Sequence, residues 1–118
     1  MNRQKVYDTV KKHLLKQKSR SESFSMVNES STGCLYRGPN GKKCAIGCLI
    51  IDGRYSKNIE GKGVSNPIVK NALYAWAKPK TENDENFLSE LQSIHDDCYV
   101  NRWQNELKTL AISFGLKG

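Results

Sequence analysis

The segment CLYRGPNGKKC, residues 34–44, carries the strongest local structural signal in the chain. Within it, Pro39 presets φ, Asn40 tolerates the next turn position and Gly41 accepts a left-handed backbone. This combination is typical of a type I turn with a G1 bulge. The flanking residues then form two short antiparallel strands in which Arg37 faces Lys43. The segment therefore predicts a β-hairpin.

Helical patterns dominate the rest of the chain. Apolar residues recur at intervals of three and four, the spacing that gives a helix one apolar face. Pro67 at a first helical position and Gly115 after a last apolar position are typical helix boundaries. The pattern predicts four principal helices, over residues 2–18, 65–77, 84–96 and 102–114.

Two further segments complete the predicted fold. The apolar run 44–51 is too short for periodicity to separate a strand from a buried helix, and we favour a short buried helix. Residues 19–33 are rich in Ser, Asn, Glu and Thr, which predicts a flexible loop. A chain of 118 residues suits one ordinary domain. The sequence thus predicts a single α+β domain over residues 1–118, mainly helical with one short β-hairpin.

The net charge of +7 is unevenly spread along the chain. Residues 1–20 carry seven Lys or Arg against one acid, whereas residues 81–98 carry six acids and no Lys or Arg. The overall sign favours an anionic partner, namely a nucleotide, a nucleic acid or an acidic protein surface. The alternative is a basic surface that serves only solubility.

The apolar content indicates neither a membrane span nor an export signal. No apolar run approaches the ~18 residues that cross a bilayer. The first residues lead into a charged helix rather than the apolar stretch of a signal peptide. We therefore expect a cytoplasmic protein with no membrane partner, whose cysteines are thiols or metal ligands. The oligomeric state is left open.

A basic cluster is expected at the hairpin tip. The proposed register brings together Arg37, Lys42 and Lys43, and a helix that starts near Cys44 would add free backbone N–H groups. Cationic side chains beside a helix N-terminus suit a phosphate or a carboxylate. The alternative is an exposed hairpin without a ligand. No Walker or Gly-x-Gly-x-x-Gly sequence accompanies the cluster.

The cysteines permit two interpretations. The hairpin register places Cys34 and Cys44 diagonally on one face, and Cys48 follows Cys44 by four residues. His95 and Cys98 could then complete a zinc site. The chain contains no Cys-x-x-Cys pair, however, and free cysteines commonly pack as small apolar groups. We favour core thiols and expect no cofactor, with zinc as the alternative.

The sequence His95-Asp96-Asp97-Cys98 also has two interpretations. A thiolate paired with an imidazole that an Asp orients can act as a nucleophile, which would make the protein a Cys/His hydrolase. Alternatively, His95 and Asp96 lie beside the hairpin and form one polar pocket with Arg37. We favour this second interpretation, and the candidate ligand-binding residues are then Arg37, Lys42, Lys43, His95, Asp96 and Tyr36.

Aromatic side chains are the remaining binding candidates, because exposed rings can stack on nucleic-acid bases. Trp76 and Trp103 lie on apolar helix faces and are expected in the core. Tyr55 and Tyr99 lie in irregular segments and are the more accessible candidates. The full set of candidates is Tyr36, Tyr55, Tyr74, Trp76, Tyr99 and Trp103.

Residues 34–50 fit the pattern Cys-x-Tyr-Arg-Gly-Pro-x-Gly-x-x-Cys-Ala-x-Gly-Cys-Leu-Ile, and Glu60-Gly61 follows. This pattern resembles a family of small bacteriophage and prophage proteins without an established activity. The segments 91–96, 110–111 and 114–116 and the residue Trp103 are similar to the same family. One departure is Asp52-Gly53, where the family pattern has Pro-Asp-Glu. The resemblance implies a bacterial cytoplasmic setting and an accessory role.

The charge and the resemblance together favour one function. We expect a small phage-type accessory protein, more plausible as a binding protein than as an enzyme. Its partner would be a nucleotide signal, a nucleic acid or an acidic host protein, and a counter-defence inhibitor is the concrete version. The alternatives are a zinc-stabilised module, a Cys/His-dependent hydrolase, and a virion or assembly component.

Overall fold

The computed structural model describes residues 1–21 and 35–118, so Cys34 and most of the predicted 19–33 loop lie outside the described residues. Four α-helices form the framework. Three of the predicted helices are confirmed as α1, α3 and α4. The bounds are α1 Arg3–Gln17, α2 Pro67–Ala72, α3 Glu82–Asp97 and α4 Trp103–Ser113. Short 3-10 turns connect them, at Pro39–Gly41, Gly47–Leu49, Asp52–Arg54, Lys57–Ile59, Ala75–Ala77 and Val100–Arg102.

Side-chain caps mark the starts of α1, α2 and α3, whereas α4 begins without one. The Asn2 side chain accepts a hydrogen bond from the Lys5 N–H, and the Thr81 hydroxyl accepts one from the Asp84 N–H. Asn66 caps α2, with Pro67 at the first helical position, as its sequence predicts. Such caps satisfy backbone N–H groups that have no partner within the helix.

Three helices enclose the core. The Tyr7 hydroxyl of α1 donates a hydrogen bond to the Leu107 carbonyl of α4 over 3.0 Å, inside the protein. Arg3, at the start of α1, forms an ion pair of 2.8 Å with Asp84, at the start of α3. The fully buried side chains fill the space between these helices, and the largest of them are Trp103, Tyr7, Phe87 and Leu14.

Opposing influences set the ionisation of Asp84. Burial favours the neutral acid, but the Lys80 N–H and the Arg3 guanidinium both donate to the carboxylate. The net result is a pKa for Asp84 below its ordinary value. The contact therefore ties α1 to α3 most strongly when Asp84 is ionised.

The α+β prediction with a β-hairpin is wrong, because the described part of the chain contains no strand and is all-α. The turn is present, with Asn40 and Gly41 both at positive φ, and Arg37 pairs with Lys43 as expected. This pairing is a single isolated bridge. The pairing ends there because the Tyr36 N–H, which the next pair of the ladder would use, donates to the Glu60 carboxylate instead.

The segment after the turn also differs from its prediction. A short buried helix was expected over residues 44–51, but only the 3-10 turn Gly47–Leu49 forms. The helix expected over residues 65–77 ends at Ala72, because Leu73 leaves it to pair with Ile50 in a second isolated bridge. A long-range contact thus replaces the last turns of a helix that local sequence favours.

Glu60 is the centre of the network that holds these irregular segments. Its carboxylate accepts hydrogen bonds from the Tyr36 N–H at 2.8 Å, the Arg37 N–H at 3.1 Å and the Tyr55 hydroxyl at 2.6 Å. Gly47 packs directly against the Tyr36 carbonyl, where an added Cβ would lie 2.0 Å from the oxygen. Residues that carry the phage-protein pattern therefore have structural roles.

No helix in residues 1–21 and 35–118 combines the length and the apolar character that a membrane crossing needs.

Candidate functional site

A basic groove lies between the C-terminal part of α1 and the turn at residues 39–41. Its volume is about 480 Å³. Among the residues that the structure describes, three lysines and one histidine contribute to the lining and no acidic residue does. The lining residues are His13, Lys16, Gln17, Ser19, Asn40, Gly41, Lys42 and Lys43.

Hydrogen bonds from α1 hold the turn against the helix and so shape the groove. The Lys43 N–H donates to the Gln17 side-chain oxygen over 2.9 Å, and the Gln17 amide donates back to the Lys43 carbonyl over 2.9 Å. His13 Nε2 lies 2.8 Å from the same carbonyl. Because a carbonyl only accepts, Nε2 is the protonated nitrogen of the His13 ring.

The lysines supply the positive charge of the groove at neutral pH. Burial lowers the pKa of His13. The hydrogen bond to the Lys43 carbonyl opposes this shift, whereas the charges of Lys43 and His95 add to it, and the net pKa is below the ordinary value. His13 is therefore neutral at pH values near 7. Lys16 is exposed, and neither Lys16 nor Lys42 forms an ion pair with another described residue. The ammonium groups of these two lysines are available to a ligand.

Arg37 lies outside this groove. Its guanidinium is 2.6 Å from Asp52, donates to the Ile50 carbonyl over 2.8 Å and lies over the Tyr55 ring. The hydrogen bond and the charge of Arg37 lower the pKa of the Asp52 carboxyl, so this pair is ionised at neutral pH. The Lys43 ammonium also lies near the Asp52 carboxylate, at a distance of 3.9 Å. The predicted trio is thus divided, with Lys42 and Lys43 in the groove and Arg37 in a structural ion pair.

His95 lies in the core rather than in a pocket with Arg37. Its side chain is fully buried, and it stacks on the Trp103 ring. One ring nitrogen lies 2.8 Å from the Asp96 carboxylate, and the other accepts from the Ser21 N–H over 3.0 Å. Because both nitrogens are occupied, His95 holds the end of α3 to residue 21 and has no nitrogen left for a substrate.

Asp96 and Tyr36 line a second and smaller cavity. It measures about 250 Å³. The Tyr36 hydroxyl donates to the Lys62 carbonyl, and Gln92 donates to the Asp96 carboxylate over 2.7 Å. The six candidate residues are therefore spread over the groove, the Arg37–Asp52 pair, the core and this cavity.

The described cysteines lie in the core or against it, with Cys44 buried and Cys48 and Cys98 partly buried. Cys44 is buried, and burial raises the pKa of its thiol well above the ordinary value. Burial likewise raises the pKa of Cys48 to about 12, and it also raises the pKa of Cys98. Since thiolates are the nucleophiles and the metal ligands, these environments disfavour thiol catalysis.

The predicted zinc site includes Cys34, which lies outside the described residues. Within residues 1–21 and 35–118, no three His, Cys, Asp or Glu side chains are grouped so that they could hold a metal ion. The zinc alternative stays a prediction.

The sequence analysis missed two groove residues, His13 and Lys16. The available signal was the excess of cations in residues 1–20, together with their positions outside the apolar face of α1. The missing information was the contact between α1 and the turn, which depends on Gln17 and Lys43.

Comparisons with protein-family models, with curated proteins and with solved structures found no match to this chain. The resemblance to phage and prophage proteins therefore stays a prediction from the quoted residues.

Proposed function

We propose that this protein binds an anionic partner at the basic groove and acts without catalysis. The observation that carries the proposal is the convergence of Lys16, Lys42 and Lys43 on one concave surface whose described lining residues include no acid. Of the three, only Lys43 has an acidic neighbour in the described part of the chain, Asp52 at 3.9 Å. A compact phosphate-bearing or carboxylate-bearing group fits both the charge and the volume of about 480 Å³.

The energy of such binding is mainly electrostatic. Lysine ammonium groups are point charges with three donors each, which suits phosphate oxygens in several orientations. The groove is open to solvent, so salt screens these contacts, with a Debye length of about 8 Å at physiological ionic strength. We therefore expect affinity that falls clearly as the salt concentration rises.

A matched pair of triple variants tests the proposal. The first replaces Lys16, Lys42 and Lys43 by alanine. The control replaces three exposed lysines elsewhere, Lys57, Lys108 and Lys117, and so removes the same charge. The probe is inorganic tripolyphosphate, with binding measured by isothermal titration calorimetry at low and at physiological salt.

The groove variant should bind about tenfold more weakly or worse, which corresponds to about 0.5 kcal/mol for each exposed contact. The control should stay within about twofold of the unchanged protein. Equal losses in the two variants would show that net charge alone attracts the anion, and the groove would then have no role. Absence of salt-dependent binding to the unchanged protein would refute anion binding itself.

The phage resemblance gives this binding a biological setting. A small phage protein that binds a nucleotide signal, a nucleic acid or an acidic protein of the host would act as a counter-defence inhibitor. Plaque counts test this version. A host that carries a defence system is given either the unchanged protein or the groove variant before infection. If both proteins raise the number of plaques equally, the groove has no part in any counter-defence role.

A further inference from the structure

An aromatic pair lies at the opposite end of α1 from the groove. The rings of Tyr74 and Trp76 stack with centroids 5.5 Å apart and an angle of 12° between their planes. Tyr74 is 38% exposed, and Trp76 is half-buried rather than in the core as its sequence predicted. The Trp76 carbonyl accepts a hydrogen bond from the Asn2 N–H over 2.8 Å, which fixes the pair beside the start of the helix.

A row of exposed lysines connects this pair to the groove. Lys5, Lys12 and Lys16 lie within about 40° of one another around α1, at about 100° per residue, and span about 16 Å of its length. All three are exposed. At one end of the row the Lys5 ammonium lies 4.6 Å from the centre of the Trp76 ring, and at the other end Lys16 lines the groove.

We propose that this surface binds a single-stranded nucleic acid, with phosphates along the lysine row and in the groove and with a base stacked on Tyr74. The inference deepens the function proposed above, since it uses the same groove and names the class of ligand. The observation that carries it is the juxtaposition, along one helix, of an exposed tyrosine ring stacked on Trp76, a linear row of cations and a basic groove.

The aromatic pair distinguishes a single strand from other polyanions. Bases in a duplex already stack on each other, whereas unpaired bases offer their faces to exposed aromatic rings. An acidic protein would pair with the lysines but would gain nothing from a flat stacking surface. A free nucleotide would fill the groove alone, because it is too short to reach Tyr74.

The test compares three polyanions that carry the same fluorescent label. They are an oligothymidylate of about 20 nucleotides, a duplex of the same length and polyglutamate, each titrated with protein and followed by fluorescence anisotropy at several salt concentrations. The variants are Tyr74→Ala, Tyr74→Leu, and Tyr99→Ala as the control, since Tyr99 is 77% exposed outside the row. Far-UV circular dichroism checks that each variant is folded.

The single strand should bind most tightly of the three. Tyr74→Ala should weaken its binding about fivefold or more, Tyr74→Leu should do the same, and Tyr99→Ala should have no effect. The slope of log affinity against log salt should stay unchanged in the Tyr74 variants, because no phosphate contact is lost. Trp76 fluorescence should also change on binding, whereas the fully buried Trp103 gives a constant background.

Two results would overturn the inference, and they differ from failure of the proposed function. Equal affinities for oligothymidylate and polyglutamate, with no effect of Tyr74→Ala, would leave anion binding intact but exclude the stacking surface. Preference for the duplex would indicate a phosphate-binding helix without base contact. Absence of salt-dependent binding to all three polyanions would refute anion binding as well.

Discussion

Gly47→Ala should destabilise the protein strongly, because the Tyr36 backbone occupies the space of the new methyl group. The added Cβ would lie 2.0 Å from the Tyr36 carbonyl oxygen and 2.8 Å from its carbon. The carbonyl would have to move by about 1 Å or more to reach an ordinary contact distance. It cannot do so cheaply, since Glu60 holds the N–H groups of both Tyr36 and Arg37.

Overpacking of a protein interior typically lowers the free energy of unfolding by about 1–3 kcal/mol. Because the obstacle here is backbone that cannot move easily, we expect a loss of about 3 kcal/mol for Gly47→Ala. For a domain of this size that loss lowers the melting temperature by about 10 °C. Urea unfolding followed by circular dichroism gives the free energy of unfolding directly, and thermal melts give the shift.

Gly53→Ala is the matched control for this experiment. An added Cβ at Gly53 has no heavy atom within 4 Å, and its backbone is outside the left-handed region. We expect a change within about 0.5 kcal/mol, or a slight gain because alanine restricts the unfolded chain. Equal stabilities for Gly47→Ala and Gly53→Ala would refute the close approach of Gly47 to Tyr36.

Three further predictions concern the groups that hold the fold. Glu60→Ala should lower the free energy of unfolding by about 2–4 kcal/mol in urea titrations, with Glu60→Gln in between, because three hydrogen bonds to a charged acceptor are lost. Asp84 contributes stability above its unfolded pKa, and that contribution is lost as the pH falls through its lowered folded pKa. Asp84→Asn should therefore flatten the decline in the urea midpoint below about pH 5, and an unchanged decline would contradict the ion pair. Cys44 and Cys48 should resist a thiol reagent in the folded protein and react after unfolding, as mass spectrometry of peptides would show; fast labelling of either in the native state would contradict the core assignment.

The long helices were predictable from sequence because their signals are local. The apolar positions of α1, α3 and α4 recur over three or more turns, and each helix buries the face that its periodicity indicates. The turn at residues 39–41 was predictable for the same reason, since Asn40 and Gly41 suit positive φ by themselves. These features needed no knowledge of distant partners.

The hairpin failed because distant side chains compete for its backbone groups. Turn chemistry predicts where a chain reverses, but it does not show whether the flanking residues pair with each other. Here the Tyr36 N–H, which the next pair of the ladder would use, donates to Glu60 from 24 residues away. One polar side chain thus ends the strand pairing after a single bridge, and no periodicity in the sequence indicates such a contact.

The charge pattern predicts an anionic ligand at three cations of the turn, and the structure places two of them, Lys42 and Lys43, in the groove but Arg37 outside it. Arg37 has a planar fork of donors, so it contacts the Asp52 carboxylate and the Ile50 carbonyl together, and its charge is used within the fold. Lys42 and Lys16 have no such fork, and no described acidic residue pairs with them. The available positive charge therefore follows α1 from Lys5 to Lys16 and continues into the groove. A ligand that matches this surface is extended along a helix, which a count of charges near the turn could not reveal.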